Sequence, residues 1–292
     1  MFCPNCGKEM SDAAVFCGNC GWSKTGKKGR GGKKISLPIV PIIGVVVIIA
    51  IVFLVKNLFF GGSFKSAKLV TKYSTDTTID KMETVKFGSY PQSDASGNAK
   101  EPIEWIVLDR QGNKTLLLSK YILDCKRYND DWVDVTWETC TLRNWLNNDF
   151  YYRAFSSDEQ KKIQTTNVIN NNNIDYGTNG GNNTNDKIFC LSIEETRKYF
   201  GDGVKQDLGY QLGKNVATRG TNYAKNVDNK GSHLYVSDSS DWYGGNSIFW
   251  LRSPGVGQYC ATRVGGGAFL DTAGGYVNYG TDGVRPALWV EN

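Results

Sequence analysis

The chain has 292 residues, with 34 basic and 29 acidic residues and a net charge of +5. Eight of the basic residues but only two of the acidic ones lie in residues 1–60, which leaves 26 basic and 27 acidic residues for residues 61–292. A domain that binds nucleic acid needs an excess of basic side chains to neutralise phosphates. The charge distribution therefore excludes nucleic acid as the ligand of the large C-terminal part.

Four cysteines at the N-terminus follow a C-x2-C-x10-C-x2-C pattern: Cys3, Cys6, Cys17 and Cys20. Two such turns predict a tetrahedral site in which four thiolates hold a structural Zn²⁺, with no coordination position left open for catalysis. The alternative, a pair of redox motifs, needs a strand–helix context that the sequence lacks. The pattern resembles the zinc ribbons at the start of many bacterial membrane proteins. We therefore predict a ribbon over residues 1–23, with a cytoplasmic partner whose identity the sequence leaves open.

Residues 35–55 form an uncharged run of 21 mainly apolar residues. As a helix this run is about 31 Å long, which matches the hydrocarbon core of a bilayer. We expect a transmembrane helix over residues 35–58. A cleaved signal peptide is the alternative, but it does not carry a long metal-binding segment before its apolar core, and no cleavage pattern follows the run.

Charges on the two sides of this span predict its orientation. Six basic residues precede it in the linker 24–34: Lys24, Lys27, Lys28, Arg30, Lys33 and Lys34. The positive-inside rule places this side in the cytoplasm. The same basic run could be interpreted as a nucleic-acid patch, but a topology signal that also contacts anionic lipid explains it better. We therefore expect a single-pass protein of the cell membrane, with a stalk over residues 59–83 and an extracytoplasmic domain over residues 84–292.

Local signals in the C-terminal domain predict both strands and helices. Apolar runs at residues 103–109 and 114–123, separated by RQGN, predict a hairpin. Leu142, Trp145, Leu146 and Phe150 recur at helical spacing and predict an amphipathic helix with these side chains on its inner face. Two capping boxes predict helix starts, one at Ser156 with Glu159 and one at Ser192 with Glu195.

Two later segments have contrasting compositions. Residues 167–186, NVINNNNIDYGTNGGNNTND, are rich in asparagine and predict a long exposed loop, either a tolerated insertion or a ligand-binding loop. From residue 248 onward the runs IFWLRS, CATRV, GAFLD, GYVNY and GVRPALWV are separated by glycines and predict an antiparallel meander. Helices followed by such a sheet indicate an α+β domain.

The motifs VKFGSYPQ, IEWIVL, TLRNWLN, FWLRSPG and GVRPALWV resemble, in this order, a bacterial family known as domain of unknown function 6273. This family is often found behind a zinc ribbon and one membrane span. Its C-terminal pattern is similar to the C-type-lectin-like fold of formylglycine-generating enzymes. The resemblance covers residues 84–291 and implies a mixed α+β, C-type-lectin-like ectodomain, while it says less about chemistry.

Several residues of the ectodomain are candidates for ligand contacts: Asp238, Asp241, Trp242, Tyr243, Arg252 and Arg263. The two aspartates could hold a cation, although they lack the spacing of a calcium loop. Trp242 and Tyr243 could stack on a sugar or fill a corner of the core. The arginines, with Arg285, could line an anion site or pair with carboxylates such as Asp271 and Asp282.

These observations favour a non-catalytic domain that binds an extracellular glycan or protein. One alternative is an enzyme related to the formylglycine-generating and sulfatase-modifying proteins, which would need a reactive cysteine pair. Only Cys260 lies after residue 190. A second alternative is a structural envelope protein. Four cysteines of the ectodomain could form disulfides or remain buried thiols: Cys125, Cys140, Cys190 and Cys260.

Overall fold

A computed structural model describes residues 2–4, 9, 79–228, 233–236 and 244–292. The chain divides into two compact units, Met1–Lys68 and Leu69–Asn292. The predicted span 35–58 and three of the four N-terminal cysteines lie outside the described residues. Within the described part of the chain, no helix is both long and apolar enough to cross a membrane. The four described residues of the first unit include Phe2 and Glu9, which pair as an antiparallel bridge.

A four-stranded antiparallel sheet contains the first and the last of the described strands of the larger unit. Its strands are β1 (Thr84–Tyr90), β2 (Glu101–Gln111), β3 (Lys114–Ser119) and β13 (Ala287–Glu291), in the order β1-β2-β3-β13. The β2–β3 pair confirms the predicted hairpin, with its turn at Gly112 and Asn113. The last strand pairs with β3 from Lys114 to Leu118, with Trp289 opposite Leu116. The C-terminus is therefore an integral part of the sheet that the domain begins with.

A seven-stranded sheet has the order β4-β12-β9-β10-β11-β8-β7. Its strands are β4 (Asp124–Cys125), β7 (Val204–Gln206), β8 (Gly209–Gln211), β9 (Phe249–Pro254), β10 (Cys260–Val264), β11 (Phe269–Tyr276) and β12 (Gly283–Val284). All neighbouring pairs are antiparallel except β12 and β9, which run parallel. A separate two-stranded ladder joins β5 (Thr166–Val168) and β6 (Thr184–Asp186).

The predicted C-terminal meander is correct only for β9, β10 and β11. The runs GAFLD and GYVNY do not form two strands, because Phe269–Tyr276 is one continuous strand. Within it, Gly274 has a φ of +79°, and a Cβ there would lie 2.2 Å from the Ala261 carbonyl oxygen. The run GVRPALWV also divides at Pro286, which has no N–H to donate, and its two halves pair in different sheets.

The helices are short, and two of them begin at the predicted capping boxes. They are α1 (Thr141–Trp145), α2 (Tyr151–Ala154), α3 (Ser157–Lys162), α4 (Ile193–Phe200) and α5 (Asn222–Asn226), with 3-10 turns at Ile79–Lys81 and Lys214–Val216. Both capping boxes are present, at the starts of α3 and α4. The predicted amphipathic helix is α1 and α2 joined by a π-helical turn at Leu146–Phe150. Leu142, Leu146 and Phe150 are buried as predicted, whereas Trp145 is only partly buried.

The core is rich in aromatic side chains whose polar atoms are satisfied. Tyr128 packs against both Trp137 and Trp250, and all three rings are buried. The indole of Trp250 donates to the Lys126 carbonyl oxygen at 2.9 Å, and that of Trp137 donates to Asp186 Oδ2 at 2.8 Å. Because unpaired buried donors cost free energy, these hydrogen bonds allow large rings to fill the interior.

The asparagine-rich segment 167–186 is not simply a long exposed loop. Two of its asparagines are buried, and Asn173 is only 2% exposed. The Asn173 amide donates to the carbonyl oxygens of Pro254 at 2.7 Å and Thr272 at 2.8 Å, while its Oδ1 accepts from the Asp175 N–H at 2.9 Å. A side-chain amide has both hydrogen-bond donors and an acceptor. It can therefore pair with backbone groups that have no backbone partner in an irregular segment. The segment is therefore fastened to β9 and β11.

The Asn173→Ala variant is expected to lower the free energy of unfolding by about 3 kcal/mol, because it leaves buried carbonyl oxygens without donors. Chemical denaturation of the full-length chain measures this change. Asn171→Ala is the matched control, since Asn171 is exposed, and should stay within about 0.5 kcal/mol of the wild type. Equal stability of the two variants would contradict the fastening role of Asn173.

Candidate functional site

The structure places Arg252 in the core. Its side chain uses all five N–H groups inside the protein: it forms a bidentate pair with Glu195, and it donates to the carbonyl oxygens of Cys190 and Ile169, both at 2.9 Å, and to Asn170 Oδ1 at 3.2 Å. A guanidinium suits such a fixed set of acceptors because its donors lie in one plane. Arg252 is 3% exposed and has no donor left for a ligand.

Arg285 is also buried, but it does not pair with a carboxylate as expected. It donates to the carbonyl oxygens of Ser119 at 2.9 Å and Val216 at 2.7 Å, and its guanidinium lies 5.2 Å from the centre of the Phe249 ring. Burial lowers the pKa of Arg285 to about 9. Carbonyl dipoles and one aromatic face thus stabilise this charge, and its role is structural.

Arg263 pairs with both of the carboxylates that the sequence suggests. Its Nε donates to Asp271 at 3.0 Å and its Nη1 to Asp282 at 3.2 Å. Burial opposes the charged form of Arg263, but the nearby Asp282 and Asp271 outweigh it and raise the pKa. Unlike the other two arginines, Arg263 keeps 22% of its side chain exposed and lines two surface clefts, of about 280 and about 310 Å³.

The first cleft is lined in part by residues that flank, in sequence, the segment with most of the predicted ligand residues. Its lining includes Tyr235, Asn246, Arg263, Phe269 and Asp271. Four predicted residues fall outside the described residues: Asp238, Asp241, Trp242 and Tyr243. The described ends of their segment pair as a bridge between Val236 and Ser247. The ligand-binding role of these four residues thus stays a prediction. Of the residues predicted to contact a ligand, only Arg263 lines one of these two clefts.

The second cleft is bordered by an exposed aromatic patch, which we define as Trp132, Tyr259, Tyr276 and Tyr279. Trp132 is 63% exposed and each tyrosine is about 40% exposed. Tyr276 contacts the other three rings, with ring centres 5.7 Å from Trp132, 6.1 Å from Tyr259 and 5.3 Å from Tyr279. Single exposed apolar residues are common on proteins, but a contiguous group of large rings indicates a binding surface.

Backbone hydrogen bonds hold the loops that carry these rings. Val277 N–H donates to the Tyr259 carbonyl oxygen at 3.0 Å, and Asn129 N–H donates to the Val277 carbonyl oxygen at 2.8 Å. Val135 N–H donates to the Gln258 carbonyl oxygen at 3.1 Å. The loop around Trp132, the β9–β10 turn and the end of β11 are therefore tied together. A surface held in this way loses little conformational entropy when it binds a ligand.

The polar atoms of the patch are available to a ligand. Within the part of the chain that the structure describes, the three tyrosine hydroxyls and the Trp132 indole N–H have no hydrogen-bond partner. The buried aromatic residues differ, since Tyr90 donates to Asp124 Oδ2 at 2.6 Å and Tyr128 donates to the Arg252 carbonyl oxygen at 2.8 Å. Aromatic residues with an apolar face and an unused polar end are typical of recognition surfaces.

The thiols of the larger unit do not support cysteine chemistry. Cys125, Cys140, Cys190 and Cys260 are buried and form no disulfide. Burial raises the pKa of Cys125 and of Cys140 to about 12, and burial also raises the pKa of Cys260. Because the thiolate is the reactive form, these cysteines lack the environment of a nucleophile or of a redox pair. Groups of three or more metal-ligating side chains are absent from the described residues.

Comparison with known proteins identifies both parts of the chain. A family model described as "Domain of unknown function (DUF6273)" matches residues 112–292. The chain belongs to this family. A zinc-ribbon domain model matches residues 2–21, so the N-terminal segment is a zinc-ribbon domain. No curated protein and no solved structure matches the chain.

The family match begins at the turn between β2 and β3. Strands β1 and β2 therefore precede it, although they complete the sheet that contains β3 and β13. All four aromatic patch residues and Arg263 lie inside the match. The candidate surface thus belongs to the DUF6273 part of the chain.

Sequence reasoning missed the aromatic patch because its members are far apart along the chain. Trp132 and Tyr276 are separated by most of the domain and meet only when the loop after β4 reaches β11. A local signal did exist, since Tyr276 and Tyr279 lie in the run GYVNY, which the sequence predicts as a strand. Tyr276 ends β11 and is exposed, while the next residue, Val277, is buried.

Proposed function

We propose that this is a single-pass membrane protein with a cytoplasmic zinc ribbon and a non-catalytic extracytoplasmic domain that binds a glycan. The aromatic patch is the observation that carries the proposal for the ectodomain. Its rings are exposed, contact one another and border a cleft of about 310 Å³. The distribution of charge around the apolar run 35–55 supports the membrane orientation.

A glycan fits the chemistry of this surface. One face of a pyranose ring presents C–H groups, which pack against the electron-rich faces of Trp132 and the tyrosines. The sugar hydroxyls at the edge need hydrogen-bond partners, which the unused phenol groups supply. Tyr276 meets Trp132 and Tyr279 edge to face, with interplanar angles of 66° and 78°. In each pair, the ring that contributes its edge is not covered on its faces by the other ring. Trp242 and Tyr243, predicted as stacking residues, belong to the same proposal.

A C-type-lectin-like fold for residues 84–292 is part of the proposal. The pairing of the final strand β13 with the early strand β3 supports it, because that pairing brings the two ends of the domain together in one sheet. The order of sequence motifs supplies the resemblance itself. Fold alone does not establish a ligand, so the glycan assignment depends on the aromatic patch.

The ribbon is proposed to hold one structural Zn²⁺ through Cys3, Cys6, Cys17 and Cys20. The bridge between Phe2 and Glu9 fits this assignment, because the first pair of cysteines lies between these two residues in the sequence. Cys3 is buried even though it stands near the N-terminus. Four thiolates satisfy the tetrahedral preference of zinc, and the ion then supplies the cohesion that a segment of this length lacks in its core.

Metal analysis of the purified full-length chain should find one zinc per chain. Cys6→Ser should release most of this zinc, because three thiolates bind the ion far more weakly than four. Cys260→Ser is the matched control and should retain the full amount, since Cys260 lies in the ectodomain. No zinc in the wild type, or an equal loss in both variants, would contradict the assignment.

Protease added to intact cells should digest the ectodomain and spare the ribbon. Replacing the six basic residues between Lys24 and Lys34 with glutamine should produce a mixture of orientations, because the charge bias that retains the N-terminus in the cytoplasm is then lost. The same replacement of the exposed Lys161 and Lys162 should leave the orientation unchanged. Digestion of the ribbon with protection of the ectodomain would reverse the proposed topology.

The glycan proposal predicts that the purified full-length protein is depleted from solution by at least one of three insoluble polysaccharides: chitin, cellulose or peptidoglycan. Trp132→Ala and Tyr276→Ala should each weaken this binding about tenfold or more, as expected for central aromatic contacts. Their melting temperatures should stay within about 2 °C of the wild type, because exposed rings contribute little to stability.

Two control variants separate binding from folding. Trp137→Ala removes a fully buried ring and should lower the melting temperature by about 10 °C. Tyr152→Ala removes an exposed ring outside the patch and should leave polysaccharide binding intact. If the patch variants bind like the wild type, the site is wrong. If the wild type binds only a protease-sensitive envelope fraction, the ligand is a protein rather than a glycan.

A further inference from the structure

A third and larger cleft, of about 590 Å³, shares no lining residue with the cleft at the aromatic patch. It lies between the end of β4 and the π-helical turn that joins α1 to α2. The lining includes Asp124, Lys126, Trp145, Asp149, Tyr152 and Arg153. A neighbouring depression of about 390 Å³ shares Lys126, Trp145 and Asp149 and extends the same surface.

Two cations of this cleft face aromatic rings instead of carboxylates. Lys126 Nζ lies 5.1 Å from the centre of the Trp145 ring, and the Arg153 guanidinium lies 4.9 Å from the centre of the Tyr90 ring. Arg153 also donates to the Tyr223 hydroxyl at 3.2 Å. Neither cation forms an ion pair with any described residue. The ring faces hold these positive groups in place while their charge remains available to an anionic partner.

Two acids of the same cleft differ in their surroundings. Asp124 is buried and accepts hydrogen bonds from the Tyr90 hydroxyl at 2.6 Å and from the Cys125 N–H at 2.8 Å. Asp149 is exposed, and among the described residues it has no hydrogen-bond or ion-pair partner. Burial raises the pKa of Asp124, while Lys126 and Arg153 act in the opposite direction. Asp149 is therefore the carboxylate that a ligand reaches most readily.

This balance of charge excludes several classes of ligand. A simple anion would meet Asp149, and a simple cation would meet Lys126 and Arg153, so each would suffer repulsion as well as attraction. An apolar ligand would desolvate these three charged groups without pairing any of them. A molecule with one negative and one positive group, separated by a few bonds, pairs with the two cations and with Asp149 at once.

We propose that this cleft binds a zwitterion of the amino-acid or short-peptide class. Lys126 and Arg153 pair with its carboxylate, and Asp149 accepts hydrogen bonds from its ammonium group. Trp145 and Tyr152 supply an apolar wall for the side chain of the ligand. Helical spacing alone predicted a core position for Trp145. This site is independent of the proposed glycan surface, and neither proposal depends on the other.

Calorimetry with the purified full-length protein tests the assignment. The probe is the dipeptide alanyl-phenylalanine, and its controls are the N-acetylated dipeptide and the C-terminal amide, each of which lacks one of the two charges. The free dipeptide should bind at least about tenfold more tightly than either control, because each blocked end loses charge-assisted hydrogen bonds. If the acetylated dipeptide binds as tightly as the free dipeptide, the cleft is an anion site and the proposal is wrong. If the amide binds as tightly, the cleft is a cation site and the proposal is also wrong.

Variants then assign the residues. Asp149→Asn should weaken dipeptide binding about tenfold and leave the affinity for the acetylated form unchanged. Lys126→Met should weaken binding of the acetylated form, which still has its carboxylate. Asp158→Asn is the matched control, since Asp158 is an exposed aspartate of α3, and should bind like the wild type. Melting temperatures confirm that all three variants are folded. Absence of binding by the folded wild type at the highest soluble dipeptide concentration would overturn the proposal.

Discussion

The buried side chain of Arg252 is the contact on which much of the larger unit depends. From β9 it reaches the capping box of α4 through Glu195, and it reaches the asparagine-rich segment through Ile169 and Asn170. A buried charge without partners costs several kcal/mol, so the three segments must be in place together. The same carboxylate that caps α4 also neutralises Arg252. Local helix formation and long-range assembly are therefore coupled through one ion pair.

The sheet held in this way presents the proposed recognition surface at its edge. Strands β9 to β11 bury large rings such as Trp250, while Tyr259 in the β9–β10 turn and Tyr276 at the end of β11 are exposed. The bulge at Ala261, together with the positive φ of Gly274, changes the direction of the paired strands next to the patch. Rigid strands below and hydrogen-bonded loops above are the arrangement expected of a preorganised binding site rather than of an adaptable loop.

Signals that act within a few residues were predictable, and those that depend on distant pairing were not. Both capping boxes and the β2–β3 hairpin follow from short motifs. The separation of β12 from β13 does not, because β12 pairs with β4 and β13 pairs with β3, and each of these partners lies more than a hundred residues earlier in the chain. Trp145 has the spacing of a core residue, but the π-helical turn that follows it changes the helix face, and its ring borders a cleft. The spacing of the four N-terminal cysteines is the clearest sequence signal, and a zinc-ribbon domain model matches residues 2–21.

The electrostatics of Arg263 favour a neutral ligand at the aromatic patch. Asp271 and Asp282 already pair with its guanidinium, and Asp282 is fully buried. An anionic ligand would have to compete with two fixed carboxylates, one of which could not move into solvent without disrupting the sheet. A sugar hydroxyl carries no charge, so it can accept from the exposed edge of the guanidinium or donate to the exposed edge of Asp271 without breaking either ion pair. The aromatic patch and Arg263 can thus bind one glycan together, whereas an anionic ligand would disrupt the ion pairs of Arg263.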